Sequence, residues 1–378
     1  METLRLELLG LRNALASQFF PSPTPLDSGS RVAIFKPDRL GDFVLALGAI
    51  RTLTRHFGER ECTLFVSPGV GGLASREFPQ AECVTISPFE PKVWSGYWRT
   101  RRERSTKPWR HGYDFAITLR HQRFAWQEAI FASLACRKRC GLLNPQIGFS
   151  QAERRYIRPD RGGKISIPEQ AADSLCLDIE YHRAVVADAL GRPVLPQEVL
   201  PVITSAPAST DDGTLLLFPF SSLRIKDIPQ KTMIEAIRLI LDRKPMGLKM
   251  VAPRNEEERY RDLASACSLA GLPTPEVLPD AGLEGLIAQV AACRGVISAD
   301  TGPAHIAAAL DKPMVAVLGG GHFGMFAPWR RSQKQIWLYN RVPCYNCGWQ
   351  CPLPEPVCIT GIPASRIAEG FRSVLSLS

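Results

Sequence analysis

The sequence predicts a two-domain α/β protein built on parallel sheets, and three observations carry that expectation. The 378 residues exceed one ordinary core and suit two domains. Short, continuously apolar runs alternate with helix-length segments along most of the chain, as strands covered on both faces should. Between Gly191 and Gly213 the composition shifts: Pro193, Pro196, Pro201 and Pro207 stand among small polar residues, the signature of a linker. The expected organisation is an N-terminal extension over 1–30, a first Rossmann-like domain over 31–190, the linker 191–213, a second Rossmann-like domain over 214–362, and a last helix, 363–378, that packs back on the first domain.

Composition narrows the function classes. Apolar content of 45% and charged content of 22% are globular values and exclude a disordered chain. A net charge of +9 and a pI near 9.1 favour an acidic partner: nucleic acid, anionic lipid or a phosphorylated substrate. No apolar run approaches the ~18–20 residues that span a bilayer. The opening METLRLELLGLRNALASQFF is broken by Glu2, Arg5, Glu7 and Arg12, which makes a poor signal peptide. Its leucines give a helix an apolar side that either packs on the domain or attaches weakly to a membrane surface. Eleven cysteines, an odd number without an export signal, point to a reducing compartment, hence the cytoplasm. Most of them, such as Cys62, Cys83, Cys176 and Cys293, sit in apolar patterns as small core residues.

In the first domain, Arg31–Lys36 reads as a strand, followed by the loop Pro37–Gly41 and a helix from about Asp42 to Phe57. There is no G-x-G-x-x-G after this strand and no G-x-x-x-x-G-K-[ST] anywhere, which argues against a dinucleotide oxidoreductase or a P-loop enzyme. Asp42 either begins the helix, where an acid suits the dipole, or accepts a proton from a substrate hydroxyl at the strand's carboxyl end. Cys62–Val66 and Cys83–Ile86 read as strands, with a short helix, Val70–Phe78, between them. Over 89–112, Trp94, Trp98 and Trp109 are interleaved with seven Lys and Arg residues, a composition suited to single-stranded nucleic acid, a sugar phosphate or a membrane interface. Tyr113–Leu119 is a strand that delivers Arg120 and His121 to the same edge. Trp126–Cys136 reads as a helix, Arg137–Gly141 as a strand or turn, 142–165 as irregular and arginine-rich, and Ala171–Leu190 as a long helix.

The second domain opens with the strand Leu215–Pro219. Ser221, Ser222 and Lys226 lie between it and the next helix, where a Lys serves as a point charge for phosphate. Lys249–Ala252 is a strand, and Glu256, Glu257 and Glu258 start a helix. The dipole explains such acids, yet a carboxylate at a strand end also accepts two hydrogen bonds from a ribose diol. Leu283–Cys293 is a helix with a core face. The most informative stretch is 295–319: a strand ending near Ile297, the corner Asp300-Thr301-Gly302, a helix from Pro303 to Leu310, and the apolar strand Met314–Leu318. Asp300 or Thr301 caps the helix, or the corner offers a hydroxyl, helix-start N–H groups and His305 to an anionic group such as a diphosphate. His305 as an ordinary packing residue stays open. Gly319, Gly320 and Gly321 would allow close backbone approach of a ligand. Cys344, Cys347, Cys351 and Cys358 could hold a tetrahedral zinc, although such sites usually have two C-x-x-C knuckles and this one has one. Ala364–Leu377 is an amphipathic helix.

Two strings carry a resemblance. K-P-D-R-L-G-D-F-V-L-A-L-G-A-I-R at 36–51 and D-T-G-P-A-H-I-A-A-A-L at 300–310 resemble the N- and C-terminal signatures of glycosyltransferase family 9, whose best-known members are the lipopolysaccharide core heptosyltransferases. The resemblance covers roughly 31–378 and matches five points in order, the cysteine-rich end included. It implies a GT-B fold, two Rossmann-like domains facing each other across a cleft, and an inverting transfer that requires no cofactor or catalytic metal. It assigns Asp42 as the base. It assigns the donor site to Lys226, Ser222, Glu256, Asp300, Thr301, Gly302 and His305, with Lys226 followed by Asp227-Ile228-Pro229 in place of the usual aromatic-Pro pair. Arg39, Arg120 and His121 would meet the acceptor. The implied partners are a nucleotide-diphosphate sugar, by family default ADP-heptose, and an anionic lipid-linked glycan acceptor of the lipopolysaccharide core or another envelope glycan, with peripheral contact at the cytoplasmic face of the inner membrane; nucleic acid is not expected. Two rivals remain: another GT-B enzyme such as a sugar-nucleotide epimerase, and a non-catalytic nucleotide- or RNA-binding protein.

Overall fold

The fold follows from where the apolar runs fall. In this computed structural model the described residues are 29–86, 112–120, 131, 134, 136–141, 176–207 and 211–377. The tryptophan- and arginine-rich stretch, His121, the predicted helix from Trp126, the irregular 142–165 and residues 1–28 lie outside them, as does the start of the helix expected from Ala171.

The chain divides into two compact units, Met1–Ser166 with Asp178–Leu200 and Ile167–Leu177 with Pro201–Ser378. The chain crosses between the units at 166/167, 177/178 and 200/201, of which the last lies within 191–213. The first unit holds a five-stranded sheet: β1 (Val32–Lys36), β2 (Cys62–Val66), β3 (Glu82–Thr85), β4 (Tyr113–Thr118) and β5 (Cys136–Cys140). Its order is β3-β2-β1-β4-β5 and every pairing is parallel. All five residues of β1 and of β2 are buried, which is why both read as apolar or small-residue runs, broken only by the buried Lys36 at the end of β1. Cys136, expected at a helix end, opens the edge strand β5 instead. Helix α1 (Leu40–Phe57) starts two residues before the predicted Asp42 and stops at Gly58, whose φ of 91° breaks the helix at no steric cost. Helix α2 (Gly71–Glu77) follows β2, and α3 (Leu177–Leu190) leads to the single-turn helix Pro196–Val199 at the end of the unit. Gly48 of α1 is required by a close approach: a Cβ there would lie 2.2 Å from the Val199 carbonyl oxygen of the single-turn helix Pro196–Val199.

The second unit holds six parallel strands: β6 (Thr214–Phe218), β7 (Gly247–Val251), β8 (Glu276–Leu278), β9 (Gly295–Ala299), β10 (Met314–Val317) and β11 (Gln335–Leu338), in the order β11-β10-β9-β6-β7-β8. The connecting helices are α4 (Gln230–Leu241), α5 (Glu257–Leu269), α6 (Gly282–Ala292) and α7 (Gly302–Ala309), and α8 (Ala364–Leu375) ends the unit. The final helix corrects an expectation. Ile367, Ala368, Phe371 and Val374 are buried in the core of this second unit, beside Ile237 and Val315, rather than serving the first. The amphipathic pattern announces a helix but carries no information about which sheet receives its apolar face.

In each sheet the first strand in sequence, β1 or β6, has neighbours reached by chains running in opposite directions across the sheet. At such a switch point two adjacent loops leave the strand ends in different directions and open a crevice, the usual ligand position in open α/β sheets. The residues beyond β1 and β4, and those beyond β6 and β9, are therefore the places to look for chemistry.

Candidate functional site

At the switch point of the second unit, Lys226 follows β6 and Asp300 follows β9. The Lys226 Nζ donates to the Asp300 carboxylate at 3.2 Å and to the Asp300 carbonyl at 3.3 Å. Both side chains are largely buried. The sequence reading paired neither residue with the other. Asp300 is not the helix cap it resembles. Thr301 stands at the cap position of α7, and no side chain caps that helix. The Thr301 hydroxyl turns back to Ser298 Oγ and the Ala299 carbonyl, both at 3.3 Å. Gly302 is the first residue of α7, Pro303 brings no N–H, and the Ala304 N–H donates to the Thr301 carbonyl. The start of α7 thus offers partial positive charge beside the Lys226 ammonium, an arrangement suited to a phosphoryl group.

His305 lies one turn into α7 and is buried. Its Nδ1 accepts a hydrogen bond from the indole N–H of Trp329 at 3.0 Å. On the other flank, Arg259 of α5 bridges two carboxylates, Glu256 and Asp227, and its guanidinium lies 4.2 Å from the centre of the Phe220 ring. Burial raises the Asp227 pKa above its ordinary value, against the opposing pull of the Ser221 N–H that it accepts at 2.7 Å and of Arg259. Glu256 is half-buried, and Ser222 is exposed, close by in the chain. Lys226, Glu256, Asp300, Thr301, Gly302 and His305 all sit at or just beyond the carboxyl ends of β6, β7 and β9.

Trp349 is a site residue that sequence reasoning passes over. Its ring centre is 4.5 Å from the Lys226 Nζ, and its indole N–H donates to His322 Nδ1 at 3.3 Å. It holds a φ of 66°, left-handed backbone that a bulky residue rarely adopts. Gly319 and Gly321 are glycine because this ring lies against them: a Cβ on either would fall 2.6 Å and 2.3 Å from it, and one on Gly320 would meet Tyr345 at 2.6 Å. The close approach expected at these glycines is real, but the approaching groups are the chain's own aromatic rings. The one available signal was a Trp inside a loop rich in Cys and Gly. That loop also corrects the zinc expectation: among the described residues no group of three His, Cys, Asp or Glu side chains is placed to hold a metal, and Cys344, Cys347, Cys351 and Cys358 are free thiols.

At the switch point of the first unit a second cluster is buried. The Lys36 Nζ is 3.1 Å from Asp38 and 3.9 Å from Asp178, and donates to the Leu119 carbonyl at 3.1 Å. Burial opposes its charge, but Asp178, Asp38 and Asp42 outweigh burial, and the Lys36 pKa rises above its ordinary value. Arg120 points inward. It pairs with Asp38 at 2.9 Å, donates to the Pro37 carbonyl at 3.1 Å, and is 5% exposed. This placement clamps the Pro37–Gly41 loop. His182 bonds the Leu45 and Leu119 carbonyls from α3. Asp42 stands half-buried in the first turn of α1, within reach of the Lys36 charge, and Arg39 is exposed just before that helix.

Two open parallel sheets in tandem, each with its polar clusters at the strand ends around a switch point, define the chain as an α/β protein of the GT-B class. Comparison with known proteins agrees. The model of "Glycosyltransferase family 9 (heptosyltransferase)" matches residues 106–355. Lipopolysaccharide heptosyltransferase 1 of Escherichia coli K12 is 34% identical over 128 residues, which span 33% of this chain and 38% of that protein. Among solved structures, E. coli heptosyltransferase WaaC with ADP superposes with a TM-score of 0.65 at 20% identity, covering 91% of this chain and 99% of that one. A family 9 glycosyl transferase from Veillonella parvula reaches 0.71 at 14% identity, covering 94% and 100%. The chain belongs to glycosyltransferase family 9.

Proposed function

We propose that the protein is an inverting glycosyltransferase that moves a sugar from a nucleotide-diphosphate sugar, ADP-heptose by likeness to its relatives, to a lipopolysaccharide core or other cell-envelope glycan at the cytoplasmic face of the inner membrane. The observation that carries this reading is the Lys226 ammonium held at the uncapped start of α7 beside His305. In the reaction the Asp42 carboxylate takes the proton of an acceptor hydroxyl. The hydroxyl oxygen forms the new bond to the anomeric carbon, from the side opposite the leaving group. The bond from that carbon to the diphosphate oxygen breaks, and the nucleoside diphosphate departs with the electron pair.

The leaving charge is met by Lys226, by the N–H of Gly302, by the Thr301 hydroxyl and by His305. Preorganised donors of this kind each contribute about 3–4 kcal/mol to acyl-transfer transition states, and the same physics applies to a departing diphosphate. With this charge supplied by side chains and helix dipole, the reading calls for no metal in the transfer step. Glu256, held by Arg259, receives the ribose hydroxyls, and exposed Ser222 sits at the rim. Asp300 orients Lys226. Arg39 is exposed for acceptor contact, while Arg120 and Asp38 fix the loop that carries Asp42.

The test is thermal stabilisation by ADP, UDP, GDP and CDP. A ligand at 100 times its Kd adds ~2.7 kcal/mol. ADP should stabilise selectively, and Lys226→Ala should lose the effect. Asp42→Asn should keep the ADP response and lose transfer by about 10²–10⁴-fold, as expected for a general base. Silence towards all four nucleotides sinks the proposal.

A further inference from the structure

The immediate surroundings of His305 decide which of its ring nitrogens carries the proton. An indole N–H is a donor only. It reaches His305 Nδ1 at 3.0 Å, so Nδ1 is the accepting, unprotonated nitrogen. The two rings lie within 3° of parallel with centroids 6.1 Å apart. An N–H lies in the plane of its own ring, so the bond arrives from the side, where the Nδ1 lone pair lies. A neutral imidazole whose Nδ1 accepts must carry its proton on Nε2.

Trp329 is itself held. It is 2% exposed, and its carbonyl accepts the indole N–H of Trp337 at 2.6 Å. The Trp337 ring, on β11, also packs against His305, with centroids 5.4 Å apart. Three buried rings thus form a chain in which β11 sets Trp329 and Trp329 sets the imidazole on α7.

We infer that Trp329 is a positioning residue of the donor site, one that fixes His305 as its neutral Nε2–H tautomer. The role of His305 rests on the donor-diphosphate reading above; the tautomer does not. Two consequences follow. His305 presents a donor to a phosphoryl oxygen without first taking up a proton. It also has no vacant basic nitrogen, since Nδ1 is engaged and Nε2 carries hydrogen, so it cannot serve as the base in this state. The proton of the acceptor is left to a carboxylate.

The experiment uses the full chain labelled with ring-¹⁵N histidine, with the His305 signals assigned by their loss in His305→Gln. The unliganded protein should show an unprotonated Nδ1 and a protonated Nε2. Trp329→Phe keeps a ring and removes the N–H, and it should leave the tautomer mixed and weaken ADP binding by the reciprocal of the remaining Nε2–H fraction, about twofold for an even mixture. Trp337→Phe, which loosens the same cluster without touching Nδ1, should preserve the tautomer and so separates a lost hydrogen bond from general loosening. A proton on Nδ1 in the wild-type protein overturns the inference, as does Trp329→Phe with unchanged ring nitrogens and unchanged ADP affinity. If the tautomer is as stated but His305→Leu binds ADP like the wild type, the lock stands and the diphosphate contact of His305 is overturned instead.

Discussion

Lys226 shows how one side chain is held between a carboxylate and an aromatic face. Asp300 neutralises it from one side, and the face of Trp349 covers it at 4.5 Å. A cation against an indole face gains about 0.5–2 kcal/mol, more as water is excluded. The left-handed backbone of Trp349 costs about 1–3 kcal/mol, so the fold maintains a strained residue to keep this ring in place. Removing the ring opens space over Gly319 and Gly321 and frees Lys226 to move. Trp349→Ala is expected to weaken ADP binding about tenfold, and Trp349→Phe, which keeps a π face, to recover most of it. Isothermal titration with ADP checks this; equal affinities in all three proteins would remove Trp349 from the site. Lys36 shows the opposite use of charge. It is 1% exposed and enclosed by Asp38 and Asp178, and its place is to hold the loop before Asp42.

At the scale of elements, α1 bears on how the Asp42 loop is set. Its middle is pressed onto the single turn Pro196–Val199, and Thr52 Oγ donates to the Glu198 carbonyl at 2.5 Å. Gly48 permits the contact. In an isolated helix, Gly→Ala gains about 1 kcal/mol. Here the new Cβ would meet two backbone carbonyls, at 2.2 Å and 2.5 Å, that cannot swing aside as a side chain would. Overpacking of this kind costs about 1–3 kcal/mol or more, so the clash outweighs the propensity. Gly48→Ala should lower the urea midpoint of the first unit; a raised midpoint would show that the turn yields freely.

The same elements show what could be read in advance. β1, β2, β6, β9 and β10 are central strands buried throughout or nearly so, and their apolar runs announce them. β8 and β11 pass unnoticed because they are three and four residues long and open on Glu276 and Gln335, which leaves apolar runs of only two and three residues. The site divides likewise. Lys226 and Asp300 stand just beyond strand ends, and His305 one turn into the helix that follows, where any reading of strand ends would select them. Trp349, Trp329 and the Asp227–Arg259 pair are brought in by tertiary packing from distant positions, and spacing along the chain holds no trace of them; the Glu256–Arg259 pair, three residues apart, is the local half of that bridge.

The whole molecule carries a charge state that depends on remaining folded. Burial, with Glu59 and Glu61 adding repulsion, pushes the Cys62 thiol up to about 12 in the first unit, and burial pushes Cys293 up to about 12 in the second. Their ordinary value is 9.0. The sign is fixed by which state binds the proton more tightly. Below pH 9 both thiols are protonated folded or unfolded, and the full stability is present. Above it the unfolded chain releases protons that the folded chain retains, so stability falls until the pH passes the folded value. Lys36 acts in the same direction above 10.5. Each pKa unit is worth ~1.4 kcal/mol, so either thiol alone removes on the order of a few kcal/mol by pH 12. The urea midpoint should hold steady below pH 9 and decline beyond it, and in Cys293→Ala the decline should be shallower for the second unit. Labelling by iodoacetamide, read by mass at each cysteine, follows the units separately, since Cys62 reports on one and Cys293 on the other. If both thiols become reactive at one urea concentration, the two sheets unfold as a single cooperative system; if Cys62 and Cys293 react at different concentrations, each sheet has its own stability. A midpoint unchanged from pH 9 to 12 would mean that neither thiol is held in its protonated form by the fold.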